Sequence, residues 1–270
     1  MDDTTLESAG DTRARNRRRT RRRRVSVIGV LGELLITAGV VTLLYVGWQL
    51  WLGDVIYGAQ RNAQGQELSQ EWEQQYQAAT PSATATPDDT AVPDEEAPVT
   101  VEPVILPEPA DAETFGVMRI PRFGEGYQVP IAGGVSRPRT LDTIGIGHYP
   151  GTNMPGEVGN FALAAHRTTY AAPFNRIADL HVGDAIVIQT ADGWYTYRFR
   201  TLEYVTPDEV EVLLPVPQVE NVPAGERYIT LTSCSPMYSM TERIVAYGVF
   251  ESFTPGAAGP PASLTEGVTA

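Results

Sequence analysis

The chain opens on a polar, arginine-rich stretch, passes into one long apolar run, turns polar again, and only then settles into short alternating segments. The apolar run, VSVIGVLGELLITAGVVTLLYVGWQLWL, covers residues 25–52 and carries one charge, Glu33. Leu34 to Leu52 are 19 uncharged residues, about 28 Å of helix and close to the thickness of a bilayer core. Trp48 and Trp51 stand at the far end, where interfacial aromatics belong. Glu33 falls near the other interface, beside the arginines, and is read as a bystander. A cleaved signal peptide is the rival reading. The run is longer than an ordinary signal core and no small-x-small cleavage site follows it, so the pattern predicts an uncleaved transmembrane anchor. Residues 53–111 read as a flexible spacer. Ala59 to Thr80 is rich in Gln, Glu and Ala and extends the helix or forms a short coil. Pro81 to Pro109 is too poor in large apolar side chains to fold by itself.

From residue 112 to 254 the pattern changes to short stretches of period two between turn signals. Strands are predicted at 116–120, 128–131, 160–166, 185–189, 194–204, 227–233 and 243–250. One short helix is predicted over 173–180, with Phe174, Ile177 and Leu180 on its apolar side. The connection from Ala132 to Gly159 is long and rich in Gly and Pro, the kind of loop that tends to carry function. A mainly β domain, a closed or partly closed barrel, fits this order. Residues 255–270 read as a disordered tail, and no internal repeat is present.

Charge sharpens the picture. The formal net charge is −13 and every one of the 20 basic residues is arginine. Residues 1–24 are net +5, whereas residues 53–270 are net −17. So acidic a domain lacks the basic face that nucleic acid requires. The arginine cluster before the apolar run predicts a cytoplasmic N-terminus and an extracytoplasmic domain.

Candidate chemistry gathers around Cys234, the sole cysteine, in TLTSCSPMYSMTERIVAYGVF, residues 230–250. Three readings are open for it: a buried inert thiol, an intermolecular disulfide, or a nucleophile. It stands at the end of a predicted strand with Ile229, Leu231 and Ser233 on one face, just before Ser235-Pro236. A nucleophilic thiol needs a nearby base or cation. His166 ends another predicted strand, on the face lined by Ala162 and Ala164, with room beside it. Arg243 opens the strand after Cys234; if the two strands are neighbours, its guanidinium faces the thiol and can steady an oxyanion. His148, in the glycine-rich GIGHYPGT loop, either lines a groove or bonds the loop. His181 reads as a surface turn residue.

Thr230-Leu-Thr-Ser-Cys234 followed by Arg243-Ile-Val resembles the sortase signature TLxTC…R. Gly159-Asn-Phe-Ala-Leu-Ala-Ala-His166-Arg-Thr-Thr-Tyr170, with Pro173-Phe174 and Leu180-His-Val-Gly-Asp184 after it, resembles the segment around the sortase histidine. The resemblance spans roughly residues 112–252. The loop GHYPGTNMPGEVGN and the Cys-x-Pro pattern resemble class E sortases of actinobacteria. The resemblance implies an eight-stranded sortase β-barrel with one or two short helices, preceded by a transmembrane helix. It implies Cys234, His166 and Arg243 as catalytic residues, and it makes Ser233, Thr232, His148 and Tyr170 candidates for substrate contact. The implied substrates are surface proteins bearing a C-terminal sorting signal of LAxTG or LPxTG type, cut between Thr and Gly and joined to a cell-wall precursor amine. Ser233 replaces a common Thr and Ser235 a common His of the family pattern. No Asp-Pro-aromatic lid motif precedes the domain, which favours protein anchoring over pilus assembly. No cofactor or metal ligand is assigned, and no acidic cluster has clear calcium-loop spacing.

Two rival classes are weighed against this. An L,D-transpeptidase would carry a His-Gly-Cys type motif, whereas Cys234 lies between Ser233 and Ser235. A non-enzymatic, membrane-tethered binding module with a buried Cys234 would keep its function as Cys234→Ala.

Overall fold

A computed structural model describes residues 26–48, 53–79 and 101–266. The arginine-rich residues 1–24, Trp51 and most of the proline-rich stretch lie outside the described residues. The chain divides into two compact units at Val46/Gly47. In the first, helix α1 (Val27–Gly47) is 21 residues long and buries none of its side chains. It is long and apolar enough to cross a membrane.

The second unit holds helix α2 (Gly53–Ala79) and eight strands. These are β1 (Thr114–Arg119), β2 (Val129–Gly133), β3 (Ile146–His148), β4 (Gly159–Ala165), β5 (Ala185–Gln189), β6 (Gly193–Val205), β7 (Arg227–Ser235) and β8 (Glu242–Pro255). They close into a barrel in the order β1-β2-β3-β4-β7-β8-β6-β5. The alternation in the sequence decides what points inward. Phe161 and Leu163 of β4, Ile229 and Leu231 of β7, and Ile244 and Ala246 of β8 fill one interior cluster with Ile131, Ile186, Ile188, Tyr195 and Tyr197. The long strands β6 and β8 shift register at Thr196/Tyr197 and at Phe199/Thr201. Such bulges let a long strand pair bend around a small barrel.

All seven predicted strands are present. The eighth, β3, lies inside the connection from Ala132 to Gly159. Three residues, one of them Gly147, are too few for a period-two signal. The glycine is required there: a Cβ on Gly147 would sit 2.3 Å from the carbonyl oxygen of Gly134. The helix predicted at 173–180 is instead a loop ending in a 3₁₀ turn at Ile177–Asp179. Phe174, Ile177 and Leu180 are all buried, and their spacing of three matches 3₁₀ geometry better than α.

The spacer and tail also differ from a free tether and a free end. Trp72 and Tyr76 of α2 pack on Val117 of β1. Ser69 Oγ donates to Gln189 Oε1 at 2.6 Å, and the Tyr76 hydroxyl donates to the Thr190 carbonyl. Residues 101–111 run along the barrel: Arg227 pairs with Glu102 at 2.9 Å, and Leu106 packs on the interior cluster. The apolar spacing of α2 is sparse, and its docking combines the polar bonds of Ser69 and Tyr76 with the Trp72 and Tyr76 rings, which is why its composition read as solvated. At the other end, 3₁₀ turns at Gly256–Ala258 and Ala262–Leu264 follow β8. Leu264 packs on Ala185, Val187 and Trp194, and Ser263 is buried beside Thr196.

Candidate active site

The strand registers assemble the site. In β4 and β7, which are parallel, Ala162 pairs with Thr230 and Ala164 with Thr232. His166 and Cys234 each lie two residues beyond the last of these pairs, and both line one groove. In the antiparallel pair β7 and β8, Cys234 stands directly opposite Arg243, so the two side chains leave the same face of the sheet. Leu163, Leu231 and Ile244 take the inward positions. The outward face at this end of the barrel therefore carries thiol, imidazole and guanidinium together.

There they line one groove of about 530 Å³ with Tyr149, Arg137 and Thr232. Among its described lining residues, Arg137, Arg167 and Arg243 are cationic and none is acidic. An oxyanion forming in this groove meets guanidinium groups although the unit as a whole is acidic. Cys234 is a half-buried free thiol, and its carbonyl accepts from Arg167 Nη1 at 3.4 Å. Arg243 Nη1 donates to the carbonyls of Met240 at 3.1 Å and Glu242 at 2.9 Å, which fixes the guanidinium against its own loop. His166 Nε2 lies 2.6 Å from Asp142 Oδ1, and the imidazole stacks on Tyr170 with centroids 5.1 Å apart. Burial pushes the Tyr149 phenol up, while its bond with Thr232 at 2.9 Å and the charge of Arg243 oppose the rise.

The other sequence candidates fall in different places. Thr232 lines the groove, buried between the Leu163 carbonyl and Tyr149. Ser233 touches the groove, but its hydroxyl donates inward to the Ala165 carbonyl at 2.8 Å and ties β7 to β4. Tyr170 supports the His166 ring and is not among the groove's lining residues. His148 does not reach the groove. It is 1 % exposed, stacks on Phe161, and its Nε2 lies 3.1 Å from the Asn153 carbonyl and 3.0 Å from Thr152 Oγ1. It holds the loop that follows β3. Residues missed in the sequence are Asp142, Arg137 and Tyr149. Their one signal was the long Gly- and Pro-rich connection that contains all three. Among the described residues no group of His, Cys, Asp and Glu is arranged to hold a metal ion.

Two stability predictions follow from these surroundings. Burial holds the His148 imidazole below its ordinary value, with the Asn153 carbonyl and the charge of Glu108 opposing. As pH falls through about 6.5, the unfolded chain takes up this proton before the folded one. The His148 contribution is therefore complete above that pH and declines below it. The melting temperature is expected to fall between pH 7 and pH 5 with a shallower slope in His148→Gln; equal slopes would remove His148 as the cause. The second concerns the turn that carries Tyr170. Thr169, Tyr170, Ala171 and Ala172 have φ of 64°, 50°, 70° and 43°. Each is left-handed backbone that costs an L-residue about 1–2 kcal/mol. Ala171→Gly removes that cost at one position and adds about 0.5–1 kcal/mol of chain entropy to be lost. It is expected to raise Tm by about 1–3 °C; a lower Tm in scanning calorimetry would contradict the assignment of strain.

Comparison with known proteins places the chain in a family. The family model described as "Sortase domain" matches residues 118–251. Sortase SrtE1 of Streptomyces coelicolor is 33 % identical over 259 residues, which are 93 % of this chain and 65 % of the relative. The chain thus spans just under two thirds of that protein's length. Sortase SrtE2 of the same organism is 31 % identical over 91 % of this chain and 90 % of its own length. A crystal structure of sortase E1 from Streptomyces coelicolor with a tripeptide in the active site matches with a TM-score of 0.53 at 35 % identity, covering 58 % of this chain and 99 % of that one. A closed eight-stranded barrel, a family match over its length and sortase E relatives along nearly the whole chain together mean that this chain belongs to the sortase family, of class E-like type, whose members are cysteine transpeptidases.

Proposed function

We propose that the protein is a membrane-anchored transpeptidase that cuts a C-terminal sorting motif of LAxTG or LPxTG type between Thr and Gly and transfers the acyl part to a cell-wall amine. The observation that carries this reading is the register that sets Cys234 opposite Arg243, with His166 lining the same groove. The Cys234 sulfur attacks the Thr carbonyl carbon, and the C–S bond forms as the carbonyl becomes an oxyanion. Arg243 steadies that oxyanion. On collapse the C–N bond breaks, and His166 passes to the leaving glycine amine the proton taken from the thiol. The acceptor amine then attacks the thioester, the new C–N bond forms, and the thiolate leaves and recovers a proton through His166. Sortase E1 of Streptomyces coelicolor holding a tripeptide in its active site supports a peptide as the occupant of the groove.

Helix α1 is the membrane segment in this reading, with residues 1–24 cytoplasmic and the barrel outside. The lack of an Asp-Pro-aromatic lid motif supports anchoring of surface proteins over pilus assembly. The test incubates the detergent-solubilised full chain with quenched-fluorescent LAxTG and LPxTG peptides, with and without an amine acceptor. Cleavage at Thr–Gly and acceptor-dependent ligation are expected, with LAxTG preferred. A folded protein that cuts neither peptide and whose thiol resists alkylation would favour the binding-module reading instead.

A further inference from the structure

The histidine of the groove has a neighbour that the mechanism above does not use. His166 Nε2 lies 2.6 Å from Asp142 Oδ1, and both side chains are mostly shielded, at 11 % and 20 % exposure. A carboxylate only accepts hydrogen bonds, so Nε2 carries the hydrogen, and the proton-exchanging nitrogen that remains is Nδ1. Asp142 belongs to a tight loop between β2 and β3. Its own N–H donates to the Arg137 carbonyl at 2.7 Å, and Ile144 N–H donates to the Thr140 carbonyl at 2.8 Å. The Asp142 carbonyl is taken by a residue 81 positions earlier: Arg61 Nη2 of α2 donates to it at 2.5 Å. Arg61 is 6 % exposed, and its Nη1 is buried without a hydrogen-bond partner. A buried guanidinium with one arm unpaired is a costly thing to keep. Its Cδ runs past Gly145, whose φ of +132° favours glycine and where a Cβ would meet Val129 Cγ1 at 2.8 Å.

We propose that Asp142 is the positioning residue of His166, holding the imidazole as the Nε2–H tautomer with Nδ1 turned to the groove, and that Arg61 of α2 holds Asp142 in place. The helix that follows the apolar segment thus completes the active site, although the barrel contains the thiol, imidazole and guanidinium without it. The inference rests on the reading of His166 as the proton-transfer group.

Ring ¹⁵N resonances of the full chain in detergent test the geometry without any substrate. The chain has three histidines, and loss of one set of signals in His166→Gln assigns the residue. Neutral His166 is expected as the Nε2–H tautomer in the wild type and as a mixture in Asp142→Ala. In the peptide assay, Asp142→Ala is expected to lower kcat by about tenfold to a hundredfold with KM within about twofold. If Asp142→Ala does not fold, Asp142→Asn keeps the shape and replaces the anion with a neutral amide; a lowered kcat at unchanged Tm is then expected. Arg61→Met keeps the packed stem and removes the guanidinium. It is expected to shift the tautomer signals in the same direction and to lower kcat by a smaller factor, measured well below its Tm. A wild-type Nδ1–H tautomer, or tautomer and kcat unaltered by the Asp142 substitutions, would overturn the role of Asp142. An Arg61→Met protein with lower Tm but unaltered tautomer and kcat would leave that residue only structural and overturn the second part. Wild-type protein that shows the tautomer but cleaves no peptide rejects the transpeptidase reading and leaves the Asp142 geometry intact.

Discussion

Cys234→Ala is expected to abolish Thr–Gly cleavage, with kcat/KM down at least about 10⁴-fold, more than about 5 kcal/mol of transition-state stabilisation. The chain holds no second cysteine to substitute for it. The half-buried thiol occupies an outward strand position, so its loss removes little interior packing. The interior positions of β7, Ile229 and Leu231, are untouched, and Tm is expected to move by no more than a few degrees. Fold and chemistry are therefore separable in this variant. Circular dichroism and peptide cleavage on the same sample make the check. Retained cleavage in Cys234→Ala would remove the thiol from the mechanism, whatever the groove around it looks like.

The second large effect is at Arg243. Arg243→Ala is expected to reduce kcat about 10²–10³-fold, the usual scale for losing one oxyanion donor, with a smaller change in KM. The kcat-against-KM split decides its role. A residue that only held the peptide backbone would raise KM and leave kcat alone. Arg243→Lys is expected to recover little. The guanidinium donates through one nitrogen to the carbonyls of Met240 and Glu242, a planar fork anchored at one end, and an ammonium group cannot reproduce that orientation. Alkylation of Cys234 by iodoacetamide is expected to persist in both variants, since the thiol remains accessible from the groove.

Sequence and structure agree most closely where local patterning and register coincide. The alternation put Phe161, Leu163 and Ala165 on one face and His166 on the other, it put Ile229, Leu231 and Ser233 together on one face of the strand that ends at Cys234, and the short loop before Arg243 suggested a paired strand. The barrel pairings then bring these faces together. What escaped the sequence depends on contacts distant along the chain. Asp142 meets His166 across 24 positions, and Arg61 meets Asp142 across 81. Neither carries a local signal, and the polar composition of α2 reads as a tether because its docking joins the polar bonds of Ser69, Tyr76 and Arg61 to a short apolar contact at Trp72 and Tyr76. His148 stayed between two readings for a related reason. A histidine in a glycine-rich loop looks the same in sequence whether it faces a groove or stacks on Phe161 beneath the surface.

The most direct measurement is the intact mass of the full chain after brief incubation with an LAxTG peptide and no acceptor amine, quenched in acid. The account predicts an adduct equal in mass to the peptide acylated through its Thr, released by hydroxylamine, located at Cys234 by digestion and absent from Cys234→Ala. Cleavage of the same peptide with no adduct on Cys234, continuing in Cys234→Ala, would contradict it.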